Sequence, residues 1–278
     1  MRIFLFIRDK ILFIIKKIFL NKIESNDVDS KIVDVMERNK SLTYKNITML
    51  FSVPNKICEY RIKTFATKEP ETLDWIDSLP ENSVLWDIGA NIGLYSVYAA
   101  MKKHCRVYCF EPSFFNLELL ARNIFLNGLD EKITILPFPL SDTMGENKLL
   151  MSSTDWGGAC STFGRNVGWD GDLIKDNFSY RIVGLSMDQV VSILQLPMPE
   201  FIKMDVDGIE HYILKGGNNI LKNIKGILIE INDDFEEQSQ TSKKILENSG
   251  FSMVKKLHAE WSNNTILENC YNQIWERF

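Results

Sequence analysis

From residue 83 onward, short apolar runs alternate with segments in which apolar residues recur every three or four positions. The apolar runs predict strands at 84–88, 106–110, 132–136, 201–205, 226–232, 251–257 and 271–275, with further strands near 147–152 and 180–186. The helical spacing predicts helices at 93–102, 113–127, 188–195, 208–222 and 236–248. Repeated strand–helix units with buried strands predict an α/β fold in which a mainly parallel sheet carries helices on both faces.

The residues before this alternation form three predicted segments. Residues 46–82 predict two short strands around Pro54-Asn55 and a helix that begins near Pro70, all packing on the core. Residues 23–45 are polar and predict a linker. The alternating part, residues 83–278, is the predicted main domain.

Residues 1–22 combine six basic residues and one acid with wide Ile, Leu and Phe coverage. Their uninterrupted apolar runs are far shorter than the roughly 18 residues that a spanning helix needs. The basic residues recur about every seven positions, which predicts an amphipathic helix lying on a membrane surface. The alternative is a helix docked on its own domain or on a partner subunit. The expected location is the cytoplasm, peripheral on the inner membrane surface.

Composition narrows the classes of function. The 278 residues carry a net charge of −5, so no overall basic surface for nucleic acid is expected. The five cysteines are odd in number and include no C-x-x-C pair, which argues against a disulfide framework and suits a reducing compartment. Three histidines make a histidine-rich metal site improbable.

The first strand of the alternation ends in an acid and a glycine turn. Asp87 precedes Gly89 and Gly93, with Asn91 where a dinucleotide fingerprint would have its middle glycine. A carboxylate here would repel a pyrophosphate but suits a ligand with a positive end. S-adenosylmethionine, which has a sulfonium and an ammonium and no phosphate, is such a ligand.

Acids also follow three later strands. Glu111 follows the second strand, 24 residues beyond Asp87, where it could accept both ribose hydroxyls. Asp142 follows the third strand, where a polar side chain could meet an adenine edge. Asp205 ends the strand at 201–205, above the expected position of a transferable methyl group. Because ligands bind at the carboxyl ends of parallel strands, these acids predict one site.

These motifs resemble the FkbM-type S-adenosylmethionine-dependent methyltransferases. The resemblance covers about residues 45–278 and rests on D-I-G-A-N-I-G-L-Y-S at 87–96, F-E-P at 110–112, L-S-D at 140–142 and F-I-K-M-D-V-D-G-I-E-H-Y-I-L-K-G at 201–216. Met204 and Asp207 stand where the family's last motif usually has Ile and Glu. The resemblance implies a Rossmann-like class I methyltransferase fold with seven strands, the last antiparallel, and methyl transfer mostly to oxygen.

The resemblance also implies roles for individual residues. The methionine end of the cofactor would be held by four residues of the first motif: Asp87, Gly89, Asn91 and Gly93. Glu111 would hold the ribose and Asp142 the adenine amino group.

A sugar hydroxyl is barely acidic, so a general base would assist the transfer. The acids and the histidine near the last motif are the candidates: Asp205, Asp207, Glu210, His211 and Glu230. We expect Asp205, Glu210 and His211 to be catalytic, with Asp205 first because it ends a strand beside the cofactor. Asp205 could instead cap the next helix, and His211 could simply be packed. Paired carboxylates could hold magnesium, but nothing else requires a metal and none is predicted.

A glycine-rich loop at 155–161 is a further candidate, in which Trp156 could stack on a sugar face and close the site. The alternative is a plain surface loop with the tryptophan tucked under it.

The sequence therefore predicts an O-methyltransferase. The expected acceptor is a hydroxyl on a glycan, a lipid-linked sugar or a natural-product intermediate. An NAD-dependent oxidoreductase and a non-catalytic S-adenosylmethionine-binding module in a biosynthetic complex are the alternatives. The sequence names neither the acceptor nor the oligomeric state.

Overall fold

The computed structural model describes residues 38–174, 178–258, 265 and 267–278. Its centre is a sheet of seven strands, which we number in chain order together with those outside it: β3 (Val84–Ile88), β4 (Arg106–Phe110), β5 (Ile133–Leu136), β10 (Phe201–Met204), β11 (Gly226–Asn232), β12 (Ser252–Leu257) and β13 (Cys270–Glu276). The spatial order is β12-β13-β11-β10-β3-β4-β5. β13 alone runs antiparallel to both neighbours, which confirms the predicted seven-stranded, mostly parallel sheet.

Successive residues of the central strands supply two separate hydrophobic cores. Leu85 and Val107 face one core, whereas Trp86 and Tyr108 face the other. This follows from the two-residue period of a strand, which sends alternate side chains to opposite faces. Since both faces are buried, the strands read as nearly continuous apolar runs, and this is why they could be found from the sequence.

Helices cover both faces of the sheet. The helices that follow the first central strand are α4 (Leu94–Lys103), α5 (Phe114–Leu126), α6 (Met187–Leu194), α7 (Glu210–Lys215), α8 (Asn218–Leu221) and α9 (Glu236–Asn248). The helix expected at 208–222 is thus two short helices. The break falls at Gly216 and Gly217, where a Cβ on Gly216 would lie 2.4 Å from the carbonyl oxygen of Ser141.

The segment before the sheet differs from its prediction. Residues 39–44, expected in the linker 23–45, form β1 (Asn39–Tyr44), which pairs with β2 (Ile47–Ser52) in an antiparallel hairpin. Lys45 and Asn46 both have positive φ (44° and 67°), as tight hairpin turns of the I′ type require. The second strand expected before residue 65 is instead helical.

Three short helices link this hairpin to the sheet: α1 (Lys56–Lys63), α2 (Phe65–Lys68) and α3 (Pro70–Ser78). Asn55, predicted to lie in a turn between strands, is instead the N-cap of α1, because its Oδ1 accepts a hydrogen bond from Cys58 N at 2.9 Å. The hairpin and helices pack into the first core through buried residues such as Phe51, Phe65 and Trp75.

A second, smaller sheet lies beyond β5. Its order is β6-β9-β7-β8, and its strands are β6 (Leu140–Ser141), β7 (Gly145–Met151), β8 (Ser161–Phe163) and β9 (Phe178–Ser186). The strands expected near 147–152 and 180–186 are confirmed as β7 and β9. The predicted amphipathic helix at 1–22 and residues 23–37 of the linker lie outside the described residues. Among the residues that are described, no helix is long and apolar enough to span a bilayer.

Candidate active site

A cavity of about 580 Å³ opens at the carboxyl ends of β3, β4, β10 and β11, within the usual size range of small-molecule sites. Its walls join the glycine turn after β3 to the loops after the other three strands. Residues from four strand ends line it together: Gly89 and Asn91 of the glycine turn, Glu111 after β4, Asp205 and Asp207 after β10, and Glu230 within β11. Of the four acids that were predicted to share one site, Glu111 and Asp205 line this cavity, whereas Asp87 and Asp142 do not.

The glycine turn lies directly against the end of β10. Gly89 has φ +84°, and a Cβ there would lie 1.8 Å from the carbonyl oxygen of Asp205. Only glycine fits both this conformation and this contact. Gly93, also at positive φ, is the N-cap of α4, and its Cα faces the side chain of Leu120. Gly93 therefore serves packing of the helix, and it does not line the cavity.

Glu111 is placed to bind a ligand's hydroxyl groups. The side chain is 4% exposed and lines the cavity. Its two oxygens each accept one backbone hydrogen bond, from Asn91 N and from Ser113 N, both at 2.8 Å. A carboxylate has about four acceptor positions, so lone pairs remain for a diol. Burial raises the pKa of Glu111 to about 7.

Asn91 lines the cavity and also forms a hydrogen bond within the protein. Its backbone is left-handed (φ 51°), and its Nδ2 donates to the carbonyl of Gly158 at 2.7 Å. The residue therefore ties the glycine turn to the loop at 155–161.

Asp87 is not on the cavity wall, contrary to the direct cofactor contact that the resemblance implied. The carboxyl is 1% exposed, and its Oδ2 accepts from Ser96 Oγ at 2.5 Å. Lys203 Nζ lies 3.7 Å from Oδ1. Burial raises the pKa of this carboxyl, while Lys203 and Ser96 oppose the rise.

Lys203 is a residue that the sequence reasoning missed. It is paired in register with Asp87 across β10 and β3, is 2% exposed, and lies 3.4 Å from Asp205 Oδ2. Burial by itself would lower the pKa of the Lys203 ammonium, but the negative charges of the surrounding acids outweigh burial and raise this pKa above its ordinary value. The available signal was a lysine inside an apolar strand, since lysine is almost never fully buried without a partner.

Asp142 lies away from the main cavity. It borders a separate cavity of about 200 Å³, where its Oδ2 is 3.2 Å from Arg165 Nη2. The structure does not bring this carboxylate to the wall where the adenine contact was expected. The backbone turns after β5 through Phe138 and Leu140, and these apolar residues line the main cavity instead.

Three acids face the cavity where the acceptor was expected: Asp205, Asp207 and Glu230. Asp207 adopts a left-handed backbone (φ 59°), and its Oδ2 accepts from Cys160 N at 2.7 Å. Burial, and then the charge of Asp205, raise the pKa of Asp207 to about 6. The same two causes raise the pKa of Glu230 well above its usual range.

Glu210 does not line this cavity, contrary to its predicted catalytic role. The carboxylate is fully buried and accepts from Val206 N (3.0 Å), Gly208 N (3.1 Å) and Gln238 Nε2 (2.5 Å). It therefore holds the loop after β10 in shape.

His211 is also turned away from the cavity. Its ring packs 4.0 Å from that of Tyr212, and neither ring nitrogen has a hydrogen-bond partner among the described residues. Burial lowers its pKa to about 4. The histidine is thus neutral and packed, which was the alternative to its role as a base.

The loop at 155–161 crosses the cavity's edge and is held by side chains from several elements. Arg61 Nε donates to Gly157 O at 2.7 Å, and Asn116 Oδ1 accepts from Gly157 N at 3.0 Å. Trp156 packs against the core formed by the N-terminal helices and does not line the cavity. The tryptophan is tucked under the loop, and stacking on a sugar face is not what the structure shows.

The described residues contain no group of three or more His, Cys, Asp or Glu side chains that could hold a metal ion.

The sheet order with its antiparallel β13, together with a glycine turn and an acid at neighbouring strand ends, defines a Rossmann-like class I methyltransferase fold. The chain belongs to the FkbM methyltransferase family, since the family model described as "Methyltransferase FkbM domain" matches residues 87–262. This membership indicates S-adenosylmethionine as the cofactor.

Curated relatives and a solved structure agree with this placement. The chain is 27% identical over 166 residues to the hexuronic acid methyltransferase AglP of Haloferax volcanii, covering 60% of this chain and 63% of that protein. It is 27% identical over 214 residues to methyltransferase sdnD of Sordaria araneosa, covering 67% of this chain and 80% of that one. The crystal structure of methyltransferase FkbM from Methylobacillus flagellatus shares the fold, with a TM-score of 0.50, 15% identity, and coverage of 79% and 52%.

Proposed function

We propose that this protein transfers the methyl group of S-adenosylmethionine to a hydroxyl oxygen of a sugar-containing acceptor. One observation carries the proposal: a single cavity joins Glu111 and the glycine turn to the two acids that follow β10 and to Glu230 within β11. A nucleoside cofactor and a hydroxyl acceptor would therefore meet inside one void.

The residues present fit the cofactor. Glu111 retains lone pairs for the ribose hydroxyls, and Gly89 and Asn91 of the glycine turn line the same cavity. Phe138 and Leu140 would form an apolar wall for the adenine. Bound there, S-adenosylmethionine supplies a methyl group activated by the adjacent sulfonium.

Asp207 is the group that we assign to proton removal from the acceptor hydroxyl. Its Oδ2 is occupied by Cys160 N, which fixes the side chain and leaves Oδ1 for the acceptor. A pKa of about 6 leaves most of the carboxylate ionised at neutral pH while keeping it basic enough to accept a proton. Asp205 remains a candidate, because it also lines the cavity, but its carboxylate is shared with Lys203.

Glu230 would orient the sugar by donating a hydrogen bond to it. Burial and the charge of Asp205 raise the pKa of Glu230, which favours the protonated carboxyl, the form that can donate a hydrogen bond to a sugar oxygen. The loop at 155–161 would exclude water from the transfer by lying across the cavity's edge.

The acceptor class is supported by the relative AglP, which is named for methylation of a hexuronic acid. A glycan or a lipid-linked sugar is therefore the acceptor that we favour over other hydroxyl compounds.

The test is incubation of the full chain with radiolabelled S-adenosylmethionine and a cell-envelope extract, followed by identification of the labelled product. We expect an alkali-stable label in a sugar fraction, and strong loss of labelling with Asp207→Asn. Label in protein, nucleic acid or free lipid only would contradict the sugar acceptor.

We also propose that residues 1–22 bind an anionic membrane surface, on the strength of their alternating basic and apolar pattern. Co-sedimentation with vesicles containing anionic lipid should fall strongly on deletion of residues 1–22. Equal sedimentation of both chains would remove the membrane anchor without touching the catalytic proposal.

A further inference from the structure

A small second cavity continues from the main one beneath the glycine turn. Its volume is about 50 Å³, enough for roughly three to five water-sized groups. Five residues line both cavities, so the two spaces adjoin: Arg61, Lys68, Gly89, Asn91 and Asp205. The remaining wall comes from α2 with the following Glu69, from the rest of the glycine turn with the start of α4, and from Lys203.

The charges around this small cavity are unusual for a protein interior. Arg61, Lys68 and Lys203 bring three cationic groups, and Glu69 and Asp205 bring two carboxylates. Asp87 lies just behind Lys203, so three carboxylates stand against the three cationic groups. A ligand that carries one positive and one negative group would enter such a cluster without changing its net charge, whereas a singly charged ligand would unbalance it.

Arg61 has the donors that such a ligand needs. Its Nε is fixed on Gly157 O at 2.7 Å, which anchors the guanidinium at the junction of the two cavities. No carboxylate of the described residues forms an ion pair with Arg61. A guanidinium presents a planar fork of donors that matches a carboxylate, so its remaining N–H groups suit an anionic end of a ligand.

Lys68 and Lys203 stand on the same wall, each beside its own carboxylate. Lys68 Nζ lies 2.5 Å from Glu69 Oε1, and Lys203 Nζ lies 3.4 Å from Asp205 Oδ2. Both ammonium groups line the small cavity, so each adds positive charge to the wall that an anionic group of a ligand would meet. Asp205 is the acid that borders both spaces, and it offers an acceptor for a ligand's ammonium.

Resting on the function proposed above, we propose that Arg61 and Lys68, which lie outside the matched family domain, bind the α-carboxylate of the cofactor's methionine end, with Asp205 accepting from its ammonium. The methionine end is a zwitterion, and its charged groups match the size and charge of the small cavity. The N-terminal helices are then part of the cofactor site as well as a cover for the sheet.

Arg61 would link the cofactor to the loop at 155–161. Arg61 would contact the cofactor through its outer nitrogens while its Nε holds Gly157 in the loop at 155–161. Binding of a full-length cofactor thereby stabilises the loop that closes the cavity, whereas a nucleoside without the amino-acid end does not.

The test compares two nucleosides by calorimetry on the full chain. S-adenosylhomocysteine has the amino-acid end, and 5′-methylthioadenosine lacks it. The affinity of the nucleoside that binds more weakly is measured by its displacement with the other. We expect Arg61→Gln to weaken S-adenosylhomocysteine binding roughly ten- to hundredfold, as for a lost charged hydrogen bond, and to leave 5′-methylthioadenosine within about twofold. Lys68→Gln should act in the same direction.

Lys63→Gln is the matched control. Lys63 lies on the same helix as Arg61, but its side chain is 68% exposed and pairs with Glu59, so both affinities should stay at the wild-type value. Equal weakening of both nucleosides by Arg61→Gln would show damage to the fold or the loop and would overturn the assignment. Unchanged affinity for S-adenosylhomocysteine in both variants would overturn it as well, while the cofactor proposal would stand. Failure of the wild-type protein to bind either nucleoside would instead defeat the proposed function.

Discussion

Gly89→Ala tests whether the glycine turn must lie against the end of β10. Two costs are expected. An alanine at φ +84° costs about 1–2 kcal/mol relative to glycine. The new Cβ would also lie 1.8 Å from the backbone oxygen of Asp205, and relieving such a contact by backbone movement costs about 1–3 kcal/mol more.

Two other glycines separate these costs. Gly128 has φ +62°, and no atom lies within 4 Å of the place that a Cβ would occupy, so Gly128→Ala carries only the conformational cost. Gly145 has neither positive φ nor a close neighbour, so Gly145→Ala should be neutral or slightly stabilising, because alanine restricts the unfolded chain. From most to least stable, the expected order of the variants is therefore Gly145→Ala, Gly128→Ala, Gly89→Ala.

Urea denaturation followed by circular dichroism gives the free energies of unfolding. Calorimetry with S-adenosylhomocysteine should show roughly tenfold weaker binding for Gly89→Ala alone, because displacement of the turn disturbs the hydrogen bond from Asn91 N to Glu111. If Gly89→Ala and Gly128→Ala agree within about 0.5 kcal/mol, the close approach to Asp205 is not an energetic constraint and the account of the turn is wrong.

Three further predictions concern the acids and the histidine. With Asp207 as the base, kcat/KM should rise with pH through about 6 and level off above about 7, because only the ionised carboxylate accepts the proton. Asp207→Asn should lower kcat/KM about 10²- to 10⁴-fold. A pH profile without that rise would exclude Asp207 as the base. Glu111→Gln should weaken S-adenosylhomocysteine binding roughly tenfold or more in calorimetry, and wild-type affinity would contradict the ribose contact. His211→Leu should retain activity within about threefold. Because burial lowers the pKa of His211 to about 4, the free energy of unfolding of the wild type should fall as the pH falls from 6.5 toward 4. Urea melts at pH 4.5 and 7 should show a smaller fall for the variant than for the wild type. Equal losses in both would argue that the histidine is not buried in its neutral form.

The strands and helices of the main sheet could be predicted from the sequence, because burial on both faces produces continuous apolar runs. The glycine turn and Glu111 could be located in the same way, since both come directly after the end of a strand. The prediction placed a strand where β2 lies but assigned β1 to a linker, because the turn between them is Lys45-Asn46 and lacks the glycine that usually marks such turns.

Which charged residues share the cavity depends instead on packing between distant parts of the chain. Asp205, Asp207 and Glu210 lie within six residues of one another, yet two of them line the main cavity and the third is bonded to the loop's own backbone. The left-handed residues Asp207 and Gly208 set these directions, and no hydrophobic period records them. Arg61 and Lys203 reach the site through packing of α1 and the register of β10 on β3. Local patterns fix which elements form, but the direction of a side chain at an element's end depends on the neighbours that the folded chain brings to it.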